Sequence, residues 1–181
     1  VLCAKPVIGD EPFAVLLPDD LIWNRGNGAL KQMADHAEAS GGSVIAVQDV
    51  PREQTGSYGI VATDAFDGQA GRINRIVEKP RPEEAPSNLA VVGRYILDPS
   101  IFELLETTGQ GAGGEIQLTD AIGLLLKDEP VKGQIFEEGR FDIGNKIEYL
   151  RATVELALER DDLGPEFRHV LSEIIKRHGI V

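Results

Sequence analysis

The chain has one cysteine, Cys3, in 181 residues. A lone thiol excludes an internal disulfide and a multi-cysteine zinc centre, and such cysteine usage fits a reducing, cytoplasmic setting. Within the apolar stretch "VLCA", Cys3 reads as a small buried hydrophobe rather than a nucleophile. Long hydrophobic runs are also lacking. None approaches the ~20 residues that a bilayer-spanning helix requires. No basic segment followed by an apolar one opens the chain, so no secretory leader is visible. Basic residues are few: 18 Lys and Arg stand against 30 Asp and Glu, for a net charge of −12. Such a surface repels nucleic acid and anionic membranes, which argues against both as partners. A small phosphate ligand would need a local cation against that field, either a metal ion or a well-placed lysine. The histidines, His36, His169 and His178, are dispersed on helix-like segments with no nucleophile–base pair in view. There is no internal repeat and no low-complexity tract.

What is present is a globular composition, 42% hydrophobic and 27% charged. The length suits one domain with a real core, so a single domain is expected over 1–181, with C-terminal helices over 145–181. "PFAVLLPDD" reads as a central strand ending at a loop, "ALKQMADHAEASGG" as a helix stopped by its glycines, and "SVIAVQDV" as the next strand. Strand, helix, strand predicts a crossover unit with a parallel sheet. "YGIVATD" and "RINRIVEKP" flank a Gly-containing turn and predict a hairpin. "LAVVGRYIL" adds a strand, and "DPSIFELLE" starts a helix with Asp98 as its cap and Pro99 in the first turn. After the glycine loop "GQGAGG", "GEIQLTDAIGLLLKD" predicts a helix and "VKGQIFEEGRFDIG" one strand and a loop. Two amphipathic helices follow, the first with Asn145 and Glu148 at capping-box spacing. The fold class is therefore α/β.

Four short stretches carry candidate chemistry. Asp19 and Asp20 in "LLPDD" stand where a parallel strand would end, the usual ligand side of an open α/β sheet. Carboxylates there suit Mg2+, a hard cation taking oxygen ligands; a solvated turn or a helix cap explains them as well. Glu78 and Lys79 close an apolar strand just before Pro80. A lysine suits phosphate and a carboxylate accepts from sugar hydroxyls, while a plain surface ion pair is the competing reading. Neighbours on a regular strand point to opposite faces, so the two can serve one ligand only if the strand ends or twists there. Asp142 in "FDIGNK" stands just ahead of a helix start, as a cap or as a second metal carboxylate. Gly59 in "SYGIV" would let a ligand approach the backbone, or mark a strand irregularity.

In chain order, "LLPDD", "YGIV", "VEKP", "APSNLAVVGRYIL", "GAGGEIQLTDAI" and "FDIGNKIEY" resemble the bacterial UTP–glucose-1-phosphate uridylyltransferases, also called UDP-glucose pyrophosphorylases. The resemblance covers nearly the whole chain. It implies a nucleotide-diphospho-sugar transferase fold: a Rossmann-like core with a mixed sheet, a β-rich sugar-binding part and C-terminal helices. It implies formation of UDP-glucose and pyrophosphate from UTP and α-D-glucose 1-phosphate, with Mg2+ as cofactor and a homodimer or homotetramer as the assembly. Carried over by position, Asp19 matches the metal aspartate and Asp142 the second carboxylate. Glu78 matches the acceptor for glucose hydroxyls, Lys79 the lysine holding the sugar phosphate, and Gly59 and Val92 backbone positions lining the sugar. Asp20 stands beside them as a contact to sugar or water. The family's glycine-rich loop, G-x-G-T-R-x-x-P, and the lysine segment after it are not in this sequence. The resemblance therefore implies that about a hundred residues, judged against an ordinary domain of this fold, precede Val1. The chain alone is then expected to have little uridylyltransferase activity. A thymidylyltransferase-like enzyme and a non-catalytic sugar-phosphate-binding module stand as the alternatives.

Overall fold

The computed structural model describes residues 1–24, 26–111, 114–136 and 139–180. The chain divides into two compact units, one of Val1–Pro18 with Ile22–Gly139 and one of Asp19–Leu21 with Arg140–Val181. In chain order the strands are β1 (Phe13–Leu16), β2 (Asp20–Trp23), β3 (Ser43–Asp49), β4 (Gly59–Asp64), β5 (Ala70–Glu78), β6 (Leu89–Leu97), β7 (Val131–Ile135) and β8 (Gly139–Asp142). The helices are α1 (Lys5–Ile8), α2 (Ala29–Ser40), α3 (Ile101–Thr107), α4 (Leu118–Leu125), α5 (Lys146–Glu159) and α6 (Gly164–Arg177). No helix among the described residues is long and apolar enough to cross a membrane.

The larger unit is built on a six-stranded mixed sheet in the order β1-β6-β3-β7-β5-β4, and β4 also pairs back onto β6. β3 and β7 run parallel; β6 runs antiparallel to both β1 and β3. β3 explains the arrangement. Its residues Ser43 to Val47 are all buried, because both faces are covered. Ile45 and Val47 join the cluster containing Phe102, Leu105, Ile122 and Leu125 of α3 and α4. Val44 and Ala46 meet Met33 of α2 and Val92 of β6. A strand covered on both sides reads as an unbroken apolar run, which is what "SVIAV" is. Each of these large side chains contributes about 1.5–3 kcal/mol by leaving water.

The predicted hairpin is β4 paired antiparallel with β5. Its turn is closed by Asp67, whose carboxylate accepts from the backbone N–H groups of Gln69 and Ala70. The connection from β5 to β6 is held equally tightly. Ser87 donates to the Val61 carbonyl and accepts from Leu89 N–H. Arg52 donates to the carbonyls of Ala85 and Ser87 and to the Asn88 side chain.

Several expectations need correction. β1 is not a central strand. Among the described residues it stands at the end of the sheet order, with alternate residues half-buried and exposed. It pairs antiparallel with β6, although β1 and β3, flanking β6 on its two sides, share one direction. The crossover is therefore right in sense, but an antiparallel strand lies between its two strands. Asp20 opens a strand, β2, where a loop was expected. "VKGQIFEEGRFDIG" forms two strands rather than one, and its residues 137 and 138 lie outside the described residues. So do residues 112 and 113 of the expected glycine loop. α3 begins at Ile101 after Ser100, whose side chain makes no cap bond; Asp98, two residues before Ser100, accepts from the Ser100 N–H as the expected cap would. Cys3 is exposed, in a short 3-10 turn, rather than buried.

In the smaller unit, Asn145 caps α5 as expected, accepting from the N–H groups of Ile147 and Glu148. α5 packs against α6. The apolar stripe of α5 is not all covered, since Ile147 is 70% and Leu150 59% exposed.

Candidate functional site

In the larger unit the ends of β4, β5 and α4 converge on Glu78. Glu78 is the last residue of β5 and pairs with Gly59, the first of β4. Its Oε2 accepts a hydrogen bond from Thr119 Oγ1 in the first turn of α4, at 2.7 Å. A Cβ at position 59 would lie 3.2 Å from that oxygen and 3.4 Å from the Thr119 hydroxyl. The first contact is tighter than most and would push the Glu78 carboxylate by a few tenths of an ångström, while the second is ordinary packing, so glycine lets these groups sit where they are.

Lys79 follows at φ +43, in the left-handed region. For a residue other than glycine this costs about 1–2 kcal/mol, and the surroundings hold it there. Lys79 N–H donates to the Tyr58 carbonyl at 3.0 Å, and the next residue, Pro80, is buried. The turn breaks strand alternation. The ammonium of Lys79 comes to 3.9 Å from Glu78 Oε1, and it stays largely exposed while the Glu78 side chain is only 15% exposed. The two side chains therefore reach toward one another, which regular β geometry forbids to neighbours. Thr119 and Lys79 engage opposite oxygens of one carboxylate, leaving lone pairs of Oε1 for a donor. Val92 lies in β6, clustered with Met33 of α2, and the residue is only 2% exposed.

In the smaller unit, Asp19 and Asp142 come together. The Asp19 carbonyl accepts from Ile143 N–H at 2.8 Å. A Cβ built on Gly144 would lie 3.2 Å from Asp142 Oδ1 and 3.5 Å from Asp19 Oδ2, so both carboxylates border one small space that a side chain would fill. Asp20 points elsewhere. Its Oδ1 accepts from Nε and Nη2 of Arg140 in β8, and the pair is close to fully buried. Arg140 also lies 4.0 Å from Asp142 Oδ2. Three carboxylates against one guanidinium leave two negative charges around the Gly144 space. Two adjacent hard oxygen donors with that charge fit Mg2+, which takes one or two carboxylates and fills its remaining positions with water and phosphate oxygens. Among the described residues no cluster of three or more acidic, His or Cys side chains offers a metal site, so a dedicated all-protein cage is not built here.

Thr119 and Arg140 are the residues that sequence reasoning missed. Arg140 was detectable, because it is two positions before Asp142 and residues i and i+2 share a strand face. Thr119 is 41 residues from Glu78, and no local pattern links them. A cavity of about 390 Å³ elsewhere in the larger unit is lined by Phe13, Ala34, Ala37, Glu38 and Asp98 among others. It presents acids and no cation, so it does not suit a phosphate.

Comparison with known proteins identifies the family and the fold. Residues 1–159 match the nucleotidyl transferase family. A UTP–glucose-1-phosphate uridylyltransferase of Bacillus subtilis strain 168 is 45% identical over 177 residues, covering 98% of this chain and 59% of the relative. A UDP-glucose pyrophosphorylase solved with UDP-glucose superposes with a TM-score of 0.84 at 38% identity, over 88% of this chain and 61% of that one. A UTP-bound enzyme from Acinetobacter baumannii gives 0.82 at 41% identity, over 95% and 60%. The chain thus spans about 60% of the length of these relatives, with the mixed α/β architecture expected of them. On the match of residues 1–159, this chain belongs to the nucleotidyl transferase family.

Proposed function

We propose that this chain carries the sugar-phosphate-binding and metal-binding parts of a UTP–glucose-1-phosphate uridylyltransferase. The observation that carries the reading is the left-handed turn at Lys79, which brings an exposed ammonium beside a half-buried, oriented carboxylate. One group suits phosphate and the other sugar hydroxyls. The names of the relatives supply the substrate pair, and their bound ligands, UTP in one and UDP-glucose in another, are one substrate and the product of that reaction.

The reaction balances simply. A phosphate oxygen of glucose 1-phosphate forms a bond to the α-phosphorus of UTP, the bond to the β-phosphate bridging oxygen breaks, and pyrophosphate leaves. Such a transfer needs positioning and charge neutralisation more than covalent help. Lys79 neutralises and holds the sugar phosphate. Glu78 accepts from the glucose ring hydroxyls, and the backbone at Gly59 and Val92 lines the sugar. Asp19 and Asp142 hold Mg2+, with Asp20 fixed by Arg140. The chemistry Mg2+ would supply if held by these residues is screening of phosphate repulsion and stabilisation of developing charge.

The reading extends to assembly and setting. Exposed Ile147, Tyr149 and Leu150 on α5 favour a homodimer or homotetramer, and the composition favours a cytoplasmic setting. The test of the function is pyrophosphate release from UTP and glucose 1-phosphate by the protein carrying this chain. Lys79→Ala is expected to reduce turnover about 10²–10³-fold with an unchanged circular dichroism spectrum. Unchanged kinetics would exclude the phosphate role.

A further inference from the structure

We propose that Thr119 is a positioning residue for sugar recognition: its hydroxyl fixes the Glu78 carboxylate so that Oε1 faces the ligand. The inference rests on the reading of Glu78 given above and adds to it how that carboxylate is aimed. An unanchored glutamate has three rotatable side-chain bonds, and ordering it on binding would cost affinity. Here the ordering is done beforehand.

The geometry is specific. A carboxylate only accepts hydrogen bonds, so at 2.7 Å the Thr119 hydroxyl must be the donor. Thr119 stands in the first turn of α4, where no carbonyl of an earlier helical turn competes for its hydroxyl. Its branched Cβ restricts the rotamer, and its methyl group lies 3.5 Å from where a Cβ on Gly59 would be. α4 itself is fixed to the core, with Ala121, Ile122 and Leu125 buried and Gly123 facing Ile76 of β5. The donor is therefore held by the sheet and not by the ligand. A neutral donor is also the right kind. It orients Glu78 without neutralising it, whereas a lysine or arginine at 119 would compete with the sugar hydroxyls for its charge.

The experiment compares Thr119→Val, which keeps the shape and loses the hydroxyl, with Thr119→Ser, which keeps the hydroxyl. Both are made in the protein carrying this chain. Thr119→Val is expected to raise KM for glucose 1-phosphate about tenfold and to leave KM for UTP and the melting temperature nearly unchanged. Thr119→Ser is expected to stay within about threefold of the parent. In a Glu78→Ala background Thr119→Val should add nothing, because the hydroxyl then has no carboxylate to orient. If Thr119→Val does not fold, Thr119→Ala carries the same comparison. An unchanged KM in Thr119→Val, with Glu78→Ala raising it, overturns the role of Thr119 and leaves the function standing. A loss that Thr119→Ser does not rescue, or that falls on the melting temperature instead of KM, also overturns it. If Glu78→Ala itself leaves KM unmoved, the reading of Glu78 fails, and the positioning role fails with it.

Discussion

Glu78 and Asp20 are both held by a hydrogen bond from a side chain distant in sequence, and the two anchors differ in charge. Glu78 is oriented by a neutral hydroxyl on one oxygen, with the exposed Lys79 ammonium 3.9 Å from the other. Asp20 is bonded to a buried guanidinium that consumes its charge. Beside Asp20, Asp19 and Asp142 retain theirs around the Gly144 space. The contrast teaches what the kind of anchor does to a carboxylate. A neutral anchor orients it without taking up its charge, and a charged anchor offsets one of three neighbouring carboxylates. On the function proposed above, the first would serve sugar hydroxyls and the second a divalent cation.

The largest expected effect comes from breaking the charged anchor. Arg140→Ala leaves the Asp20 carboxylate buried without its guanidinium, at 11% and 9% side-chain exposure for the pair. Loss of one partner of a buried pair costs about 3–5 kcal/mol, to be read from urea unfolding. The double variant Arg140→Ala/Asp20→Ala should recover much of that. A loss below about 1 kcal/mol would place the pair among solvated surface bridges.

Breaking the neutral arrangement should cost activity more than stability. Gly59→Ala puts a methyl group 3.2 Å from Glu78 Oε2, and one of the two must move. The expectation is a fall of about tenfold in kcat/KM for glucose 1-phosphate with unfolding changed by under about 1 kcal/mol. Equal losses in both quantities would mean that Gly59 serves packing alone.

The smallest effect belongs to a carboxylate anchored by backbone only. The N–H groups of Ala70 and Gln69 hold Asp67 below the usual carboxylate range. A lowered folded value stabilises above the unfolded value, about 3.9, and the contribution is lost as pH falls through the folded value. Asp67→Asn should therefore lower the melting temperature slightly at neutral pH and remove that part of the acid dependence. Because Asp67 is fully exposed, a large effect would mean the turn matters more than its solvent exposure allows.

Much of this was legible in the sequence, for identifiable reasons. β3 and β6 declare themselves because burial on both faces leaves long apolar runs. The β4–β5 hairpin is marked by its turn, and Asn145 by capping chemistry. "APSNLAVVGRYIL" drew attention as a family signature. Its Ser87 and Asn88 turn out to secure the β5–β6 connection to Val61 and Arg52. β1 misled because "FAVLL" is apolar throughout, although alternate residues are exposed. β2 and β8 were hidden by their brevity and by acidic and glycine neighbours. At Lys79 the sequence posed the right question, since Pro80 signalled an ending; the left-handed turn that answers it is a tertiary outcome. Thr119 stands within the quoted stretch "GAGGEIQLTDAI", but its contact with Glu78 could not be read, because a contact across 41 residues leaves no periodic trace.

The most direct test of the central claim separates the two substrates kinetically. In the protein carrying this chain, Glu78→Gln removes the charge and keeps the shape of the group assigned to the sugar. KM for glucose 1-phosphate should rise about tenfold or more, while KM for UTP stays within about twofold. An equal rise for both substrates, or a rise for UTP alone, would contradict the assignment of Glu78 and Lys79 to the sugar phosphate.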